Sequence, residues 1–290
     1  MKKDDTRRIR TEYLFKDMPV KEGTEIANYR LWNMEINGSR IYGEIMWPNG
    51  TYEKPRPLVI FFHGFPGGHR SEDIASAWRR AGCVVICPNH RGAWASGGKF
   101  LVSNCVEDAI TIAKHYHNKK NAAQYNIDPD AIFLAGHSMG GNTSINAARK
   151  LKWLKGIILF APGNMVVSMH RDPAGMDNLL AIGAPMLACD GPEALKADLV
   201  AHEDYDFKNA AKDLKKMNIC LLLGKYDPSV DYDQDLKPLW DKLTEKGGDG
   251  IIRRQKTFPC AHGFCNSRNN AIKYAAEFIA DLCNEQAQQS

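Results

Sequence analysis

The chain reads as an α/β protein: a mostly parallel central sheet, helices on both faces, and an antiparallel hairpin at its N-terminal side. Three observations lead there. PLVIFFH, CVVICP, AIFLAG, GIILFAP and NICLLLG are short, almost unbroken apolar runs, as in strands buried on both faces. Segments of helical periodicity lie between most of them. Two alternating runs, YRLWNMEI and RIYGEIMW, precede them. A paired start followed by alternating β and α units is an α/β arrangement.

In chain order, residues 1–12 read as a loose polar arm. Asn37-Gly38 joins the two alternating runs, a pair suited to a tight turn in which both positions take positive φ. From Pro57 the buried-strand pattern begins. Residues 104–119 are expected to be helical, with Asn104 and Glu107 as a capping pair and Val106, Ile110 and Ala113 on one face. A second helix is expected from Ser138 to about Lys150. A third covers 231–246 and stops at Gly247-Gly248. The last covers 268–284, with Ile272, Ala275, Ala276, Ile279 and Leu282 inward.

Between GIILFAP and NICLLLG lie about 55 residues without a strand, rich in Met and Leu. That is too long for a plain connection. It is expected to be a small helical lid, residues 164–215, over the C-terminal edge of the sheet. The core is then 13–163 with 216–290.

Composition narrows the function. The net charge of +4 is too small for a dedicated nucleic-acid binder. No run approaches the roughly 18 apolar residues of a membrane span, and MKKDDTRRIRTEYLF lacks the apolar run of a signal peptide. The cytoplasm is therefore expected. None of the eight cysteines forms a CxxC pair, and several sit inside apolar runs. No metal or cofactor is implied. The expected partner is a small molecule, with neither nucleic acid nor membrane involved.

The chemistry centres on Gly136-His137-Ser138-Met139-Gly140. The G-x-S-x-G spacing alone arises by chance in about one chain in ten of this length, so its setting decides. AIFLAG before it is a strand and SMGGNTSINAARK after it is a helix, the strand–turn–helix context of a nucleophile elbow. The turn strains Ser138 and leaves no room for side chains two residues either way. A serine hydroxyl also needs a base. In this architecture the acid and then the histidine follow the serine. Asp227 comes three residues after NICLLLG; Asp231, Asp233 and Asp235 are rivals at the start of the next helix, where acids serve the dipole. His262, in PCAHGF, follows the last strand candidate IIRRQKTF.

The other histidines fit less well. His115 and His117 are two apart on a helix and face apart. His63 and His137 lie inside motifs, in supporting hydrogen-bond roles. His69, His90, His170 and His202 do not follow the last strand. Oxyanion donors are expected from the Met139 amide and from His63-Gly64-Phe65-Pro66-Gly67-Gly68. Pro66 has no N–H, which leaves Phe65, with Gly67 as a rival.

FFHGFPGG, AGHSMGG, LLLGKYDPSV and PCAHGF, in this order, resemble an α/β-hydrolase over residues from about 57 to 285. The resemblance is to the compact esterase and dienelactone-hydrolase branch and to the catalytic domain of prolyl-oligopeptidase-type peptidases. It implies a triad of Ser138, Asp227 and His262, with Phe65 and Met139 as oxyanion donors. Serine where a dienelactone hydrolase carries cysteine argues against that activity, and a dehalogenase would need aspartate at 138. About 56 residues precede the core, too few for a peptidase's propeller.

The reading is a carboxylic-ester hydrolase working through an acyl-enzyme. An amidase or small-peptide hydrolase could use the same groups, with Glu203, Asp204 and Asp206 receiving a peptide amine. A non-catalytic binding protein on the same fold is the third alternative, but all three triad positions are filled.

Overall fold

The computed structural model describes residues 7–52, 55–68, 71–245 and 250–284. Among them the strands are β1 (Asn28–Ile36), β2 (Ser39–Trp47), β3 (Arg56–Phe62), β4 (Val84–Pro88), β5 (Ile127–His137), β6 (Gly156–Phe160), β7 (Ile219–Gly224) and β8 (Arg253–Phe258). They form one sheet in the order β1-β2-β4-β3-β5-β6-β7-β8. β1 and β2 pair antiparallel, β2 meets β4 antiparallel, and every pairing from β4 through β8 is parallel. The hairpin turns at Asn37 and Gly38, both with positive φ, as the dipeptide predicts.

Alternation along the strands supplies two cores. Leu58, Ile60 and Phe62 of β3 join one buried cluster; Val59 and Phe61 join the other. The first cluster is covered by α2 (Val102–His117), α3 (Lys119–Ala123), α4 (Met139–Ala148) and α8 (Lys237–Thr244). The second is covered by α1 (Glu72–Ala81) and α9 (Arg268–Cys283). This is the architecture of an α/β-hydrolase, a mostly parallel sheet with helices on both faces.

Three expectations are corrected. Residues 7–12 are not a loose arm: Ile9 is buried in the second core, and its amide donates to Asn284 Oδ1 at 2.8 Å. One apolar side chain and two main-chain bonds to Asn284 are enough to tie this short polar stretch down. Residues 1–6 lie outside the described residues. α2 begins two residues earlier than Asn104, and Asn104 with Glu107 does not cap it. Asp198 accepts from the Ser103 amide at 3.0 Å and from Ser103 Oγ at 2.5 Å, while Glu107 turns to Arg91 and Asn37. Third, residues 231–246 open with a π-helical turn (Tyr232–Leu236) before α8. The Gly247-Gly248 stop lies outside the described residues.

The long connection between β6 and β7 is helical. It holds α5 (Met165–Arg171), α6 (Pro173–Gly183) and α7 (Pro192–Ala201), with short 3-10 turns. Its Met165, Met169, Met176, Leu180, Leu187, Leu195 and Leu199 bury against Ala93, Phe100, Cys105 and Met139 in a third cluster, with Phe65 packed at its edge. The Asn164 side chain roots it, donating to Asp206 Oδ1 at 3.2 Å and to the Asp235 carbonyl at 3.1 Å.

Candidate active site

Ser138 stands on the turn between β5 and α4 with φ 55° and ψ −120°. A non-glycine residue reaches this region only where its surroundings enforce it. The enforcement is visible. A Cβ on Gly136 would lie 2.2 Å from the Gly140 carbonyl, and one on Gly140 would lie 2.0 Å from the Phe62 carbonyl oxygen. Both glycines are therefore required by backbone contact. The Ser138 amide donates to the Phe160 carbonyl at 2.9 Å, which fixes the elbow to β6. The Met139 amide is the first N–H of α4, one of those a helix leaves without an internal partner.

Asp227 and His262 come from loops after β7 and β8. His262 Nδ1 is 2.8 Å from Asp227 Oδ2. Asp227 Oδ1 accepts the Ser229 amide at 2.8 Å and the Val230 amide at 3.2 Å. Burial pushes the Asp227 pKa up, but the His262 interaction and these amide bonds outweigh it and hold the carboxyl below its ordinary value.

Two of the rival acids are engaged elsewhere. Asp231 caps Gln234, and Asp235 is fully buried against Arg171 and the Asp231 amide. Asp233 lies in the π-helical turn.

His137 links the elbow to the histidine loop. Its Nε2–H donates to the His262 carbonyl at 2.9 Å, and the two rings lie 4.6 Å apart. Burial, then the neighbouring His262, lowers its pKa to about 4, so it stays neutral and keeps this donor role. His63 is likewise structural: its Nδ1 bonds the Gly64 carbonyl at 2.8 Å and its Nε2 accepts the His90 amide at 3.2 Å. His90 is fully buried and its pKa falls well below the usual value. His117 stacks on Trp153, His115 meets Asn121, His170 meets Glu203, and His202 meets Asp198. His69 lies outside the described residues.

The loop His63–Gly68 runs against the elbow. A Cβ on Gly64 would meet the Ser138 Cβ at 3.1 Å, so this segment passes at van der Waals distance from the serine. Trp94, itself at positive φ, donates from Nε1 to the Gly67 carbonyl at 3.1 Å. Nothing in the local sequence marks Trp94; its role depends on a loop after β4 meeting one after β3. Arg268 at the start of α9 binds Asp73 and reaches the Gly263 carbonyl beside His262 at 3.4 Å, another tie between distant segments. Among the described residues no group of three or more His, Cys, Asp or Glu is arranged to hold a metal ion.

The sheet order, the elbow and the acid–histidine pair define the α/β-hydrolase class. The chain matches the family model described as serine aminopeptidase, S33, over residues 53–214, more than half its length. It belongs to that family. It is similar to the monoglyceride lipase of Rattus norvegicus, 30% identical over 132 residues, which cover 44% of this chain and 41% of that one. The chain thus spans well under two thirds of that relative. Among solved structures it resembles EstE1, a thermostable carboxylesterase cloned from a metagenomic library (TM-score 0.64, 22% identity, 90% of this chain and 91% of that one). It also resembles a thermostable carboxyl esterase from Bacillus coagulans (TM-score 0.67, 18% identity, 88% and 99%).

Proposed function

We propose that the chain is a serine hydrolase that cleaves carboxylic esters of small acyl or aryl groups, with Ser138 as nucleophile, His262 as base and Asp227 orienting the base. One observation carries the reading: Ser138 is held at φ 55° and ψ −120° between β5 and α4, a strained backbone region of the kind that persists at functional sites. The Asp227–His262 pair supports it, because an anionic partner on Nδ1 leaves Nε2 to take the serine proton.

The hydroxyl oxygen attacks the ester carbonyl as Nε2 takes its proton. The Met139 and Phe65 amides meet the oxygen that becomes negative. Collapse expels the alcohol, which receives the proton back from the imidazolium. Water then repeats the sequence on the acyl-enzyme. The segment 164–215 acts as a lid, its methionines lining the acyl side; its packing against Met139 and Phe65 supports this. Small-ester turnover is in keeping with the esterase and lipase relatives. The eight cysteines stand as free thiols, which suits action in the cytoplasm. Among the described residues no helix is long and apolar enough to cross a membrane.

The amidase reading keeps one support, the family's description as aminopeptidases. Against it, the acids that could receive a peptide amine have partners: Glu203 with His170, Asp204 with Arg149, and Asp206 with Lys208 and Asn164. Hydrolysis of p-nitrophenyl esters of increasing acyl length, beside matched aminoacyl anilides, decides between them. Ester turnover lost in Ser138→Ala is the expected result. Turnover of anilides alone would move the assignment to amide substrates. No turnover and no labelling of Ser138 by a fluorophosphonate would leave a binding protein.

A further inference from the structure

The helical insertion touches the candidate oxyanion loop at one tight point. Gly183 closes α6 and is buried. Its φ of −83° and ψ of −34° are ordinary for a helix, so any residue could adopt them, and glycine weakens a helix relative to alanine. What glycine provides here is space. A Cβ at this position would lie 2.2 Å and 2.3 Å from Cε1 and Cζ of the Phe65 ring.

The ring is partly buried, and its inner side is closed. Phe100, fully buried, packs against it with centroids 5.9 Å apart. Phe100 is itself fixed, its amide donating to the Ala188 carbonyl at 2.8 Å, while the Ala188 amide donates to Gly92 at 2.8 Å. Ala93 bridges to Leu187 in the same place. The loop's other points are also held, Gly67 by Trp94 and Gly64 against Ser138. A ring pushed by a methyl group at 183 either turns about its own side-chain bonds or carries the Phe65 main chain with it, and the kcat of Gly183→Ala distinguishes the two.

We propose that Gly183 is a positioning residue: through its contact with the Phe65 ring, the insertion holds the Phe65 amide where the developing oxyanion forms. The inference rests on the ester-hydrolase reading above and deepens it. An oxyanion donor acts only within about 2.7–3.1 Å of that oxygen. A small displacement then costs transition-state stabilisation without changing how substrate is first held, so it reduces kcat and leaves KM.

The test is a double-mutant cycle with p-nitrophenyl acetate, using Gly183→Ala, Phe65→Ala and the pair, with melting temperatures recorded. Gly183→Ala is expected to lower kcat by about tenfold or more, below the full loss of a donor, with KM little changed. In the Phe65→Ala background, where the ring is gone, the same substitution should have no further effect on kcat. Wild-type kcat in Gly183→Ala overturns the proposal. So does an equal loss in both backgrounds, or a lowered melting temperature that the double variant shares, which marks a packing defect. A wild-type protein that neither turns over esters nor labels with a fluorophosphonate sinks the hydrolase reading and this inference with it. An active wild type insensitive at 183 sinks the inference alone.

Discussion

Asp227 accepts three hydrogen bonds, one from His262 Nδ1 at 2.8 Å and two from the amides of Ser229 and Val230. The two amides hold the carboxylate still, so the imidazole meets a fixed acceptor. Asp227→Asn keeps the size and loses the charge, and its amide can present N–H to Nδ1, favouring the wrong tautomer. A fall of about 10³–10⁴-fold in kcat is expected, as for such a swap in other triads. Asp231→Asn and Asp233→Asn should stay near wild type in the same assay. A large loss in either, with Asp227→Asn active, would reassign the acid.

His137 makes stability depend on pH. In the folded chain its pKa is about 4; unfolded, it returns to about 6.5. Between these values the unfolded chain binds the extra proton. The stability associated with a neutral His137 is therefore full above about pH 6.5 and lost as pH falls towards 4, by about 3 kcal/mol in all. His137→Gln keeps an N–H donor for the His262 carbonyl and does not titrate. Urea unfolding of the two proteins at pH 7 and pH 4.5 should show wild type losing more on acidification. Parallel losses would mean His137 is not the titrating group.

Gly140→Ala is a steric prediction. The added methyl would sit 2.0 Å from the Phe62 carbonyl oxygen and 2.6 Å from its carbon. Both atoms belong to the central strand β3, which cannot yield locally. A loss of about 3 kcal/mol or more is expected, read as a lower urea midpoint. A midpoint within error of wild type would mean that the elbow relaxes.

Asp198→Ala removes the acceptor that caps α2 from another helix. The Ser103 amide is left without its partner, at an expected cost of about 1–2 kcal/mol. KM and kcat should hold at temperatures where the variant remains folded, since Asp198 serves α2 and not the reacting groups. A loss of kcat without loss of stability would overturn that assignment.

The sheet was legible because buried parallel strands must be apolar on both faces. PLVIFFH, AIFLAG and NICLLLG therefore announce themselves whatever surrounds them. The elbow was legible for a different reason: Gly136, Ser138 and Gly140 meet constraints set within a few residues, so the requirement is written in consecutive letters. The proposed acid was picked by its position after a strand, which put Asp227 ahead of Asp231, Asp233 and Asp235, and Asp227 lies 2.8 Å from His262 Nδ1.

What the tertiary structure decided is everything carried by contacts between distant segments. The polar stretch at residues 7–12 is docked by Ile9 and Asn284, which are 275 residues apart. The first turn of α2 is capped by Asp198 from a neighbouring helix, while Asn104 lies inside that turn and donates to the Lys99 carbonyl. The loop at Phe65 is shaped by Trp94, Phe100 and Gly183, residues whose types are unremarkable in a one-dimensional reading. Local backbone demands leave a mark at their own position in the chain. Packing and hydrogen bonding across the fold leave theirs only in space.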